Sequence, residues 1–397
     1  MFFARFFVTL HPVMMKRMFW GLLLLLSVPA SAQIEARLDS MMRDPLTETT
    51  QLGLMVWDLT DDRPVFSCGH RQLLRPASTM KLLTAITALD QLGEGYQFST
   101  AVFYTGDIVE GTLLGDLYCV GGMDPMFDYS DMDSLVNAVK QLGVKRVAGR
   151  VVADVSLKDG QQLGEGWCWD DDNPTLTPLL VGRSPEFMPV FIGKLKRAGI
   201  NMDDATIASG RVPSDGTLVA LRGHSLFEVL REMMKESDNL FAESMFYNLA
   251  ASSGHRPARA IDATRLERAI LDRCDLNSAR YRIADGSGLS LYNYVTAELE
   301  VAILRYAYRR VDIYDKLLPS LPIAGRDGTL KKRMKGTRAE NNVQAKTGTL
   351  TGVISLAGYL TAANGHRMCF AILNQGVLKA SDARDFQDKI CKILCEN

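Results

Sequence analysis

The alternation of apolar and polar positions predicts one helix and two strands near the amino terminus. Residues 34–44 have the apolar spacing of a short amphipathic helix. The segment 53–69 alternates in the manner of two strands joined by a turn at Asp61-Asp62. Residues 82–92 are apolar on almost every side, which is typical of a helix buried inside a protein.

The carboxyl-terminal residues predict a matching arrangement. Residues 352–360 and 367–376 are apolar segments separated by a short polar link, which indicates a hairpin. Residues 381–397 have the pattern of a helix, with Ser381 placed as its N-cap. Because strands and helices occur at both ends of the chain, we expect one antiparallel sheet that is assembled from both termini and flanked by helices.

The middle of the chain predicts a separate unit. Residues 100–215 contain short strand-like segments, many turn residues and one helical segment at 131–143, and helical patterns resume near Ser225. We therefore expect an α+β protein whose catalytic domain is formed by 33–99 and 216–397, with 100–215 inserted as a β-rich domain.

The amino terminus carries a targeting pattern. Two basic residues precede an apolar run at 18–28. This run is followed by the small-residue sequence A-S-A, which ends at Ala32. A basic region, a short apolar core and a small-residue cleavage site are the features of a secretory signal peptide. We expect residues 1–32 to be removed and the mature chain to be exported, with a retained anchor as the alternative.

Composition and charge add few constraints. The net charge of −1 gives no indication of a nucleic-acid partner, and the 47% apolar content is that of a folded globular protein. The seven cysteines are an odd number whose spacing fixes no disulfide pairing. Cys391 and Cys395 have no histidine nearby, which favours buried apolar residues over a metal site.

A serine and a lysine stand at the first turn of the predicted buried helix. Ser78 and Lys81 lie three residues apart, so their side chains share one helix face. A lysine accepts a serine proton only if its pKa is lowered by burial or by a nearby cation. Alone, the pair favours a simpler interpretation, in which the serine caps the helix and the lysine extends to solvent.

Two further motifs change that interpretation. S-D-N at 237–239 precedes an apolar run, and K-T-G at 346–348 precedes the predicted hairpin. In this order, S-x-x-K, S-D-N and K-T-G are the signature of serine penicillin-binding proteins and class A β-lactamases. The three motifs therefore predict an active-serine site with Ser78 as nucleophile.

Longer segments resemble one branch of these proteins, the D-alanyl-D-alanine carboxypeptidase/endopeptidase family of low-molecular-mass class C penicillin-binding proteins (the penicillin-binding-protein-4 type). The similar segments are 115–127, 150–171, 284–290 and 321–337. The resemblance implies a β-lactamase/transpeptidase-like core, in which an antiparallel sheet flanked by helices is joined to a helical subdomain. Because the insertion is short in this chain, we expect one inserted β-rich lobe.

The resemblance also implies catalytic roles. Ser78 attacks the carbonyl group between two D-alanines, and Lys81 removes its proton. Lys346 supplies a second positive charge, which lowers the pKa of Lys81 and attracts the terminal carboxylate of the substrate. Ser237 passes a proton to the leaving amine, and Asn239 holds an amide of the substrate and orients Lys81.

Substrate-binding residues follow from the same resemblance. Thr347 and Thr349, which flank Gly348, hydrogen-bond the terminal carboxylate, and the Thr349 backbone N–H contributes to the oxyanion hole. The loop that contains Asp285 and Ser287 lines the cleft. No metal and no cofactor are expected.

The resulting expectation is a periplasmic serine DD-peptidase that acts on peptidoglycan stem peptides and is acylated by β-lactam antibiotics. The sequence leaves open whether carboxypeptidase or cross-link endopeptidase activity dominates. One alternative is a serine β-lactamase, for which Glu186 is the candidate deacylation base. The other is a catalytically silent wall-binding protein on the same fold.

Three groups of charged residues are weaker candidates. Asp154 and the acidic run at 170–172 have the charge to contact a cationic peptide group, although an exposed acidic loop is the favoured interpretation. The basic run at 331–335 is typical of a solvated face.

Overall fold

The structure is a computed structural model that describes residues 30–396. The signal peptide predicted at 1–32 falls outside these residues except for its last three. The helices are α1 (Ala30–Met41), α2 (Pro45–Thr49), α3 (Lys81–Leu92), α4 (Tyr129–Gln141), α5 (Phe187–Arg197), α6 (Leu226–Lys235), α7 (Asn239–Ser252), α8 (Ala260–Arg273), α9 (Ala297–Tyr308), α10 (Val311–Ser320) and α11 (Ala380–Cys395). The strands are β1 (Gln51–Asp58), β2 (Arg63–Cys68), β3 (Gln97–Tyr104), β4 (Asp107–Val109), β5 (Thr112–Leu114), β6 (Leu117–Gly121), β7 (Arg146–Val147), β8 (Arg150–Asp154), β9 (Thr206–Ser209), β10 (Thr217–Ser225), β11 (Gln344–Leu350), β12 (Val353–Thr361) and β13 (Arg367–Gln375).

A five-stranded antiparallel sheet in the order β11-β12-β13-β1-β2 joins the two ends of the chain. Strand β1 pairs with β13 along its whole length, so the sheet is assembled from both termini as the sequence predicts. Successive side chains point to opposite faces of a strand. Leu54 and Val56 accordingly pack with α1 and α11, whereas Met55 packs with the helices on the other face.

Helix α3 lies inside this second helical layer. Every residue from Lys81 to Leu89 is buried, among side chains of α6, α7, α8, α9 and α10. The prediction of a helix that is apolar on almost every side and buried is therefore confirmed. Burial fixes the first turn of the helix, because a helix packed on all faces has no direction in which to shift.

A second sheet has the order β10-β3-β6-β8-β9, and α4 and α5 contribute side chains to its apolar core. The pairs β6–β8 and β8–β9 are parallel, so the sheet is mixed. Strand β3 begins at Gln97 and β10 ends at Ser225, so this sheet extends past both ends of the 100–215 segment. Strands β4, β5 and β7 form a smaller sheet beside it.

Helix α1 begins at Ala30 rather than at residue 34, and two further helix starts differ from the sequence prediction. Helix α4 begins two residues earlier than predicted, because the Asp128 carboxylate caps it by accepting the backbone N–H groups of Ser130 and Asp131. Helix α11 begins at Ala380 and its cap position is Lys379, so the prediction that Ser381 is the N-cap is wrong. The Ser381 hydroxyl instead donates to the adjacent Asp382 carboxylate.

The cysteines and the helix lengths complete the description. All seven cysteines, which lie in the described part of the chain, are free thiols. Cys391 and Cys395, both on α11, are buried in the apolar core, as predicted. Among residues 30–396, no helix has both the length and the apolar composition needed to cross a bilayer.

Candidate active site

Ser78 lies in a single 3-10 turn, residues 77–80, which leads directly into α3 and which we call the nucleophile turn. Ala77, Thr79 and Met80 are buried, whereas Ser78 is partly exposed. Ala77 has a φ of +48°, in the left-handed region that residues with side chains rarely adopt. The turn therefore presents the Ser78 side chain, and no other side chain of the turn, to solvent.

Lys81 is fully buried, and its Nζ atom has three partners. It lies 2.9 Å from Ser78 Oγ, 2.8 Å from Asn239 Oδ1 and 2.8 Å from the backbone oxygen of Ser287. Burial lowers the pKa of Lys81 to about 8, although the nearby carboxylates of Asp285, Glu243 and Asp238 act in the opposite direction. Burial, rather than the expected charge of Lys346, is thus the cause of the lowered pKa.

Lys346 and Ser237 connect the two walls of the cleft. Lys346 Nζ donates to Ser237 Oγ at 2.8 Å and to the backbone oxygen of Thr347 at 2.7 Å. Burial, and then the charge of Lys81, hold the pKa of Lys346 well below its usual range. Ser237 has a φ of +64°, immediately before Asp238, which caps α7 by accepting the Phe241 N–H. All five residues predicted as catalytic are therefore brought together.

Residues 285–290, the Asp285 loop, lie beneath Lys81 rather than along the open cleft. Asp285 and Ser287 are buried, so our expectation that their side chains line the cleft is not met. The Asp285 carboxylate accepts hydrogen bonds from the backbone N–H groups of Gly288 (2.8 Å) and Ser290 (2.7 Å), and from Asn293 Nδ2 (2.7 Å). These contacts fix the loop and thereby the Ser287 carbonyl group that faces Lys81.

The 150–171 segment supports the same loop from outside. Trp167 Nε1 donates to the Asp285 carboxylate at 2.8 Å, and the Ser290 hydroxyl donates to the backbone oxygen of Glu165 at 2.6 Å. The segment that contains Trp167 is thus a structural support for the residues that position Lys81.

Sequence reasoning missed two buried glutamates that contact the Asp285 loop and the nucleophile turn. Glu243 Oε1 accepts the backbone N–H groups of Gly286 (3.1 Å) and Ser287 (2.8 Å), and burial together with the Asp285 charge raises its pKa to about 8. Glu300 is hydrogen-bonded to the Thr79 hydroxyl behind the nucleophile turn, and burial raises its pKa to about 8. A carboxylate within the apolar run of α7 was the available signal for Glu243.

Thr347, Gly348 and Thr349 lie on the edge strand β11 and line an open cavity of about 470 Å³. Thr347 Oγ1 lies 2.7 Å from Thr329 Oγ1, and Thr349 is exposed. The two hydroxyl groups therefore face a space that a ligand can enter.

The weaker candidates lie elsewhere or have structural partners. Glu186 is exposed, and within the described part of the chain only its backbone, not its carboxylate, forms hydrogen bonds, with Ser184 and Val190. Asp154 is buried and accepts the backbone N–H groups of Ser156 and Val212, so its carboxylate is a turn-forming group. Asp172 lines a different cavity, beside the S-D-N motif.

One group of side chains in the described part of the chain has metal-ligand geometry, namely Asp58, Asp61 and His366. His366 Nδ1 lies 2.8 Å from Asp58 Oδ2, and this hydrogen bond raises the pKa of His366. The other oxygen of Asp58 accepts the backbone N–H groups of Thr60 and Asp61. Turn formation and an ion pair thus account for the cluster.

A serine at a rigid turn, hydrogen-bonded to a buried lysine with a lowered pKa, is the constellation of an activated nucleophile. Together with the antiparallel sheet and its helical layer, it defines an active-serine enzyme of the penicillin-binding class. The sequence matches the D-Ala-D-Ala carboxypeptidase 3 (S13) family over residues 34–179 and 184–397, and the chain belongs to that family.

Individual relatives agree with this assignment. The chain is 26% identical to D-alanyl-D-alanine carboxypeptidase DacB of Haemophilus influenzae, over 87% of this chain and 88% of that protein. It is 27% identical to a D-alanyl-D-alanine carboxypeptidase of Actinomadura sp., over 87% and 81% of the two chains. The crystal structure of penicillin binding protein 4 from H. influenzae superposes with a TM-score of 0.81 at 24% identity, covering 89% of this chain and 97% of that chain. A structure of the same protein complexed with a β-lactam gives a TM-score of 0.73 at 25% identity, with 87% and 96% covered.

These comparisons confirm the family resemblance and the α+β fold drawn from the sequence. They also confirm that the chain is a serine-type D-Ala-D-Ala peptidase by family membership.

Proposed function

We propose that this protein is an exported DD-peptidase that cleaves D-Ala-D-Ala type bonds of peptidoglycan stem peptides through an acyl-enzyme on Ser78. The observation that carries the proposal is the set of partners of Lys81 Nζ. Two of them, Asn239 Oδ1 and the Ser287 backbone oxygen, only accept hydrogen bonds. A neutral amine has two N–H donors and one lone pair, so its lone pair is directed at the Ser78 hydroxyl.

Acylation then follows from this geometry. Lys81 takes the Ser78 proton as Oγ attacks the carbonyl carbon, and the N–H groups of Ser78 and Thr349 stabilise the oxyanion. When the C–N bond breaks, the proton that Lys81 took passes through Ser237, whose hydroxyl is held by Lys346, to the leaving amine. Water hydrolyses the Ser78 ester, which restores the serine hydroxyl and releases the shortened peptide as a carboxylic acid.

Substrate orientation comes from strand β11. The hydroxyl groups of Thr347 and Thr349 hold the terminal carboxylate of the substrate, and the positive charge of Lys346, next to Thr347, favours its approach. The carboxylate of a β-lactam antibiotic occupies the same place, so we expect such antibiotics to acylate Ser78. Support comes from the β-lactam complex of the H. influenzae protein.

Export rests on the amino-terminal pattern. Cleavage after Ala32 leaves Ile34 and Leu38, whose side chains are buried against the sheet, within the mature chain. Edman sequencing of protein recovered from the periplasm tests this part, with Gln33 expected as the first residue. A chain that remains in the membrane fraction with residues 1–32 intact contradicts it.

The function is tested with labelled benzylpenicillin and intact-mass measurement. We expect a long-lived adduct of one penicillin on the wild-type protein, none on Ser78→Ala, and release of D-alanine from a pentapeptide stem by the wild type only. Rapid penicillin turnover indicates a β-lactamase instead. Absence of both the adduct and D-alanine release indicates a catalytically silent protein.

A further inference from the structure

The cavity beside β11 has a strongly biased charge. It measures about 470 Å³, and its walls are the strand segment 347–349 on one side and residues 328–333 with Arg384 of α11 on the other. Four of its eleven lining residues are Lys or Arg, and none is Asp or Glu. We call it the basic cavity.

Three of these cations are free to meet a ligand. Lys331, Lys332 and Arg384 are exposed, and within residues 34–396 no carboxylate oxygen lies within 4.0 Å of their charged atoms. Arg333 differs, because its guanidinium pairs with Asp388 of α11 at 2.6 Å. That ion pair attaches the 328–333 segment to α11 and so fixes the position of the cavity wall. The basic run therefore does more than form the solvated face that its sequence indicated.

The opposite end of the cleft has the opposite charge. A cavity of about 460 Å³ beside the S-D-N motif is lined by the carboxylates of Asp172, Glu236 and Asp238. Its one cation among the described residues, Arg183, is paired with Asp238. Of these two cavities, the one beside Thr347 and Thr349 is therefore the positively charged one.

The position of the basic cavity defines which part of a substrate enters it. If Thr347 and Thr349 hold the carboxylate on the leaving residue, any atoms that the leaving group carries beyond that carboxylate extend into the basic cavity. Free D-alanine, the leaving group of a carboxypeptidase, carries only a methyl group there. The leaving group of a cross-link is a second stem peptide, which bears additional carboxylates.

We propose, on the basis of the function proposed above, that the basic cavity is a subsite for an acidic peptide leaving group. Lys331, Lys332 and Arg384 bind the additional carboxylates of that peptide. The enzyme therefore selects cross-linked stem peptides over single ones, and its bond cleavage proceeds by the same Ser78 ester.

The test uses the full mature chain and a triple variant, Lys331→Gln/Lys332→Gln/Arg384→Gln. The matched control, Lys335→Gln/Lys379→Gln/Lys392→Gln, removes the same charge from the same loop, from the cap position of α11 and from α11 itself, at residues that do not line the cavity. The substrates are a cross-linked stem-peptide dimer, the same dimer with the carboxylates of its acceptor peptide amidated, and a pentapeptide stem. Benzylpenicillin acylation reports on the intact active site.

We expect the cavity variant to lose about tenfold in kcat/KM for the unmodified dimer, since exposed ion pairs each contribute a modest amount. Its kcat/KM for the amidated dimer and the pentapeptide, and its acylation rate, stay at the wild-type level, and the control variant keeps all four activities. If the cavity variant loses as much kcat/KM for the amidated dimer or the pentapeptide as for the unmodified dimer, the proposed subsite is overturned. An unchanged kcat/KM of this variant for the unmodified dimer overturns it as well. A wild-type protein that neither cleaves the pentapeptide nor reacts with benzylpenicillin contradicts the proposed function itself.

Discussion

Gly348 and Ser78 lie against each other where strand β11 meets the nucleophile turn. A Cβ atom at residue 348 would lie 3.0 Å from the Ser78 backbone nitrogen and 2.7 Å from the Pro76 backbone oxygen. It would also overlap the Ser355 hydroxyl, which donates to that same Pro76 oxygen. The K-T-G motif therefore requires glycine because of a close backbone approach to the nucleophile.

Gly348→Ala is expected to separate β11 from the nucleophile turn. Overpacking of this kind costs about 1–3 kcal/mol of unfolding free energy. A displacement of the oxyanion-hole strand by about 1 Å lowers the rate of Ser78 acylation by about a hundredfold. Urea denaturation and penicillin acylation measure the two effects.

The control for this variant is Gly193→Ala in α5, where an added Cβ atom meets nothing within 4 Å. We expect its acylation rate to match the wild type and its stability to rise by up to about 1 kcal/mol. If Gly348→Ala is acylated at the wild-type rate, the close approach of residue 348 to the nucleophile turn does not control acylation, and this account is contradicted.

Asn239→Asp tests the hydrogen bond to Lys81. A carboxylate 2.8 Å from Nζ, in place of the amide oxygen, stabilises the ammonium form and raises the pKa of Lys81 by about one to three pH units. The pH profile of acylation therefore shifts upward, and the rate at neutral pH falls at least about tenfold. Asn277→Asp, an exposed substitution of the same charge, is expected to keep the wild-type pH profile. If Asn239→Asp also keeps the wild-type pH profile, the assignment of Lys81 as the base that Asn239 orients is refuted.

Asp285→Asn separates a positioning role from substrate binding. The Asp285 carboxylate accepts hydrogen bonds from Gly288, Ser290 and Trp167, among others. In the variant, the amide nitrogen of asparagine cannot accept, so some of these donors are left unpaired. We expect a loss of at least about 2 kcal/mol in unfolding free energy, with acylation by penicillin and peptide cleavage reduced together. An increase in KM for peptides alone, at unchanged stability, instead identifies Asp285 as a substrate-binding residue.

Glu300→Gln changes the pH dependence of stability. The folded pKa of Glu300, about 8, lies above its ordinary value of 4.5, so the folded protein binds this proton more tightly than the unfolded chain. The corresponding stabilisation is complete below pH 4.5 and is lost as the pH rises through 8. Each tenfold difference in proton affinity corresponds to about 1.4 kcal/mol.

We therefore expect wild-type unfolding free energy, from urea titrations, to fall between pH 5 and pH 8 by at least about 1 kcal/mol more than that of Glu300→Gln. Equal pH dependence of the two proteins shows that Glu300 is ionised in the fold.

The sequence predicts the chemistry of the site well because its motifs are local. Ser78 and Lys81 occupy one turn, and their shared face follows from helix geometry alone. The sheet was equally accessible, since β1 and β13 are short, almost continuously apolar segments, which is typical of strands buried on both faces.

Positions that depend on long-range packing were not predictable in this way. Glu243 and Ser287 lie 44 residues apart in sequence, and only the packing of α7 on the Asp285 loop joins them. Asp285 reads in sequence as a polar loop residue, and its burial follows from Trp167 of a distant segment. The start of α4 was missed for a local reason: the Asp128 carboxylate caps the helix two residues before the predicted start.

The central claim is that neutral Lys81 takes the proton of Ser78, and the pH dependence of acylation tests it most directly. The measurement is the second-order rate constant for benzylpenicillin acylation of the wild-type protein between about pH 6 and pH 10. With the pKa of Lys81 near 8, the rate rises about tenfold per pH unit at low pH and reaches a plateau above pH 8. A rate that is independent of pH across this interval, or that falls as the pH passes 8, contradicts the account.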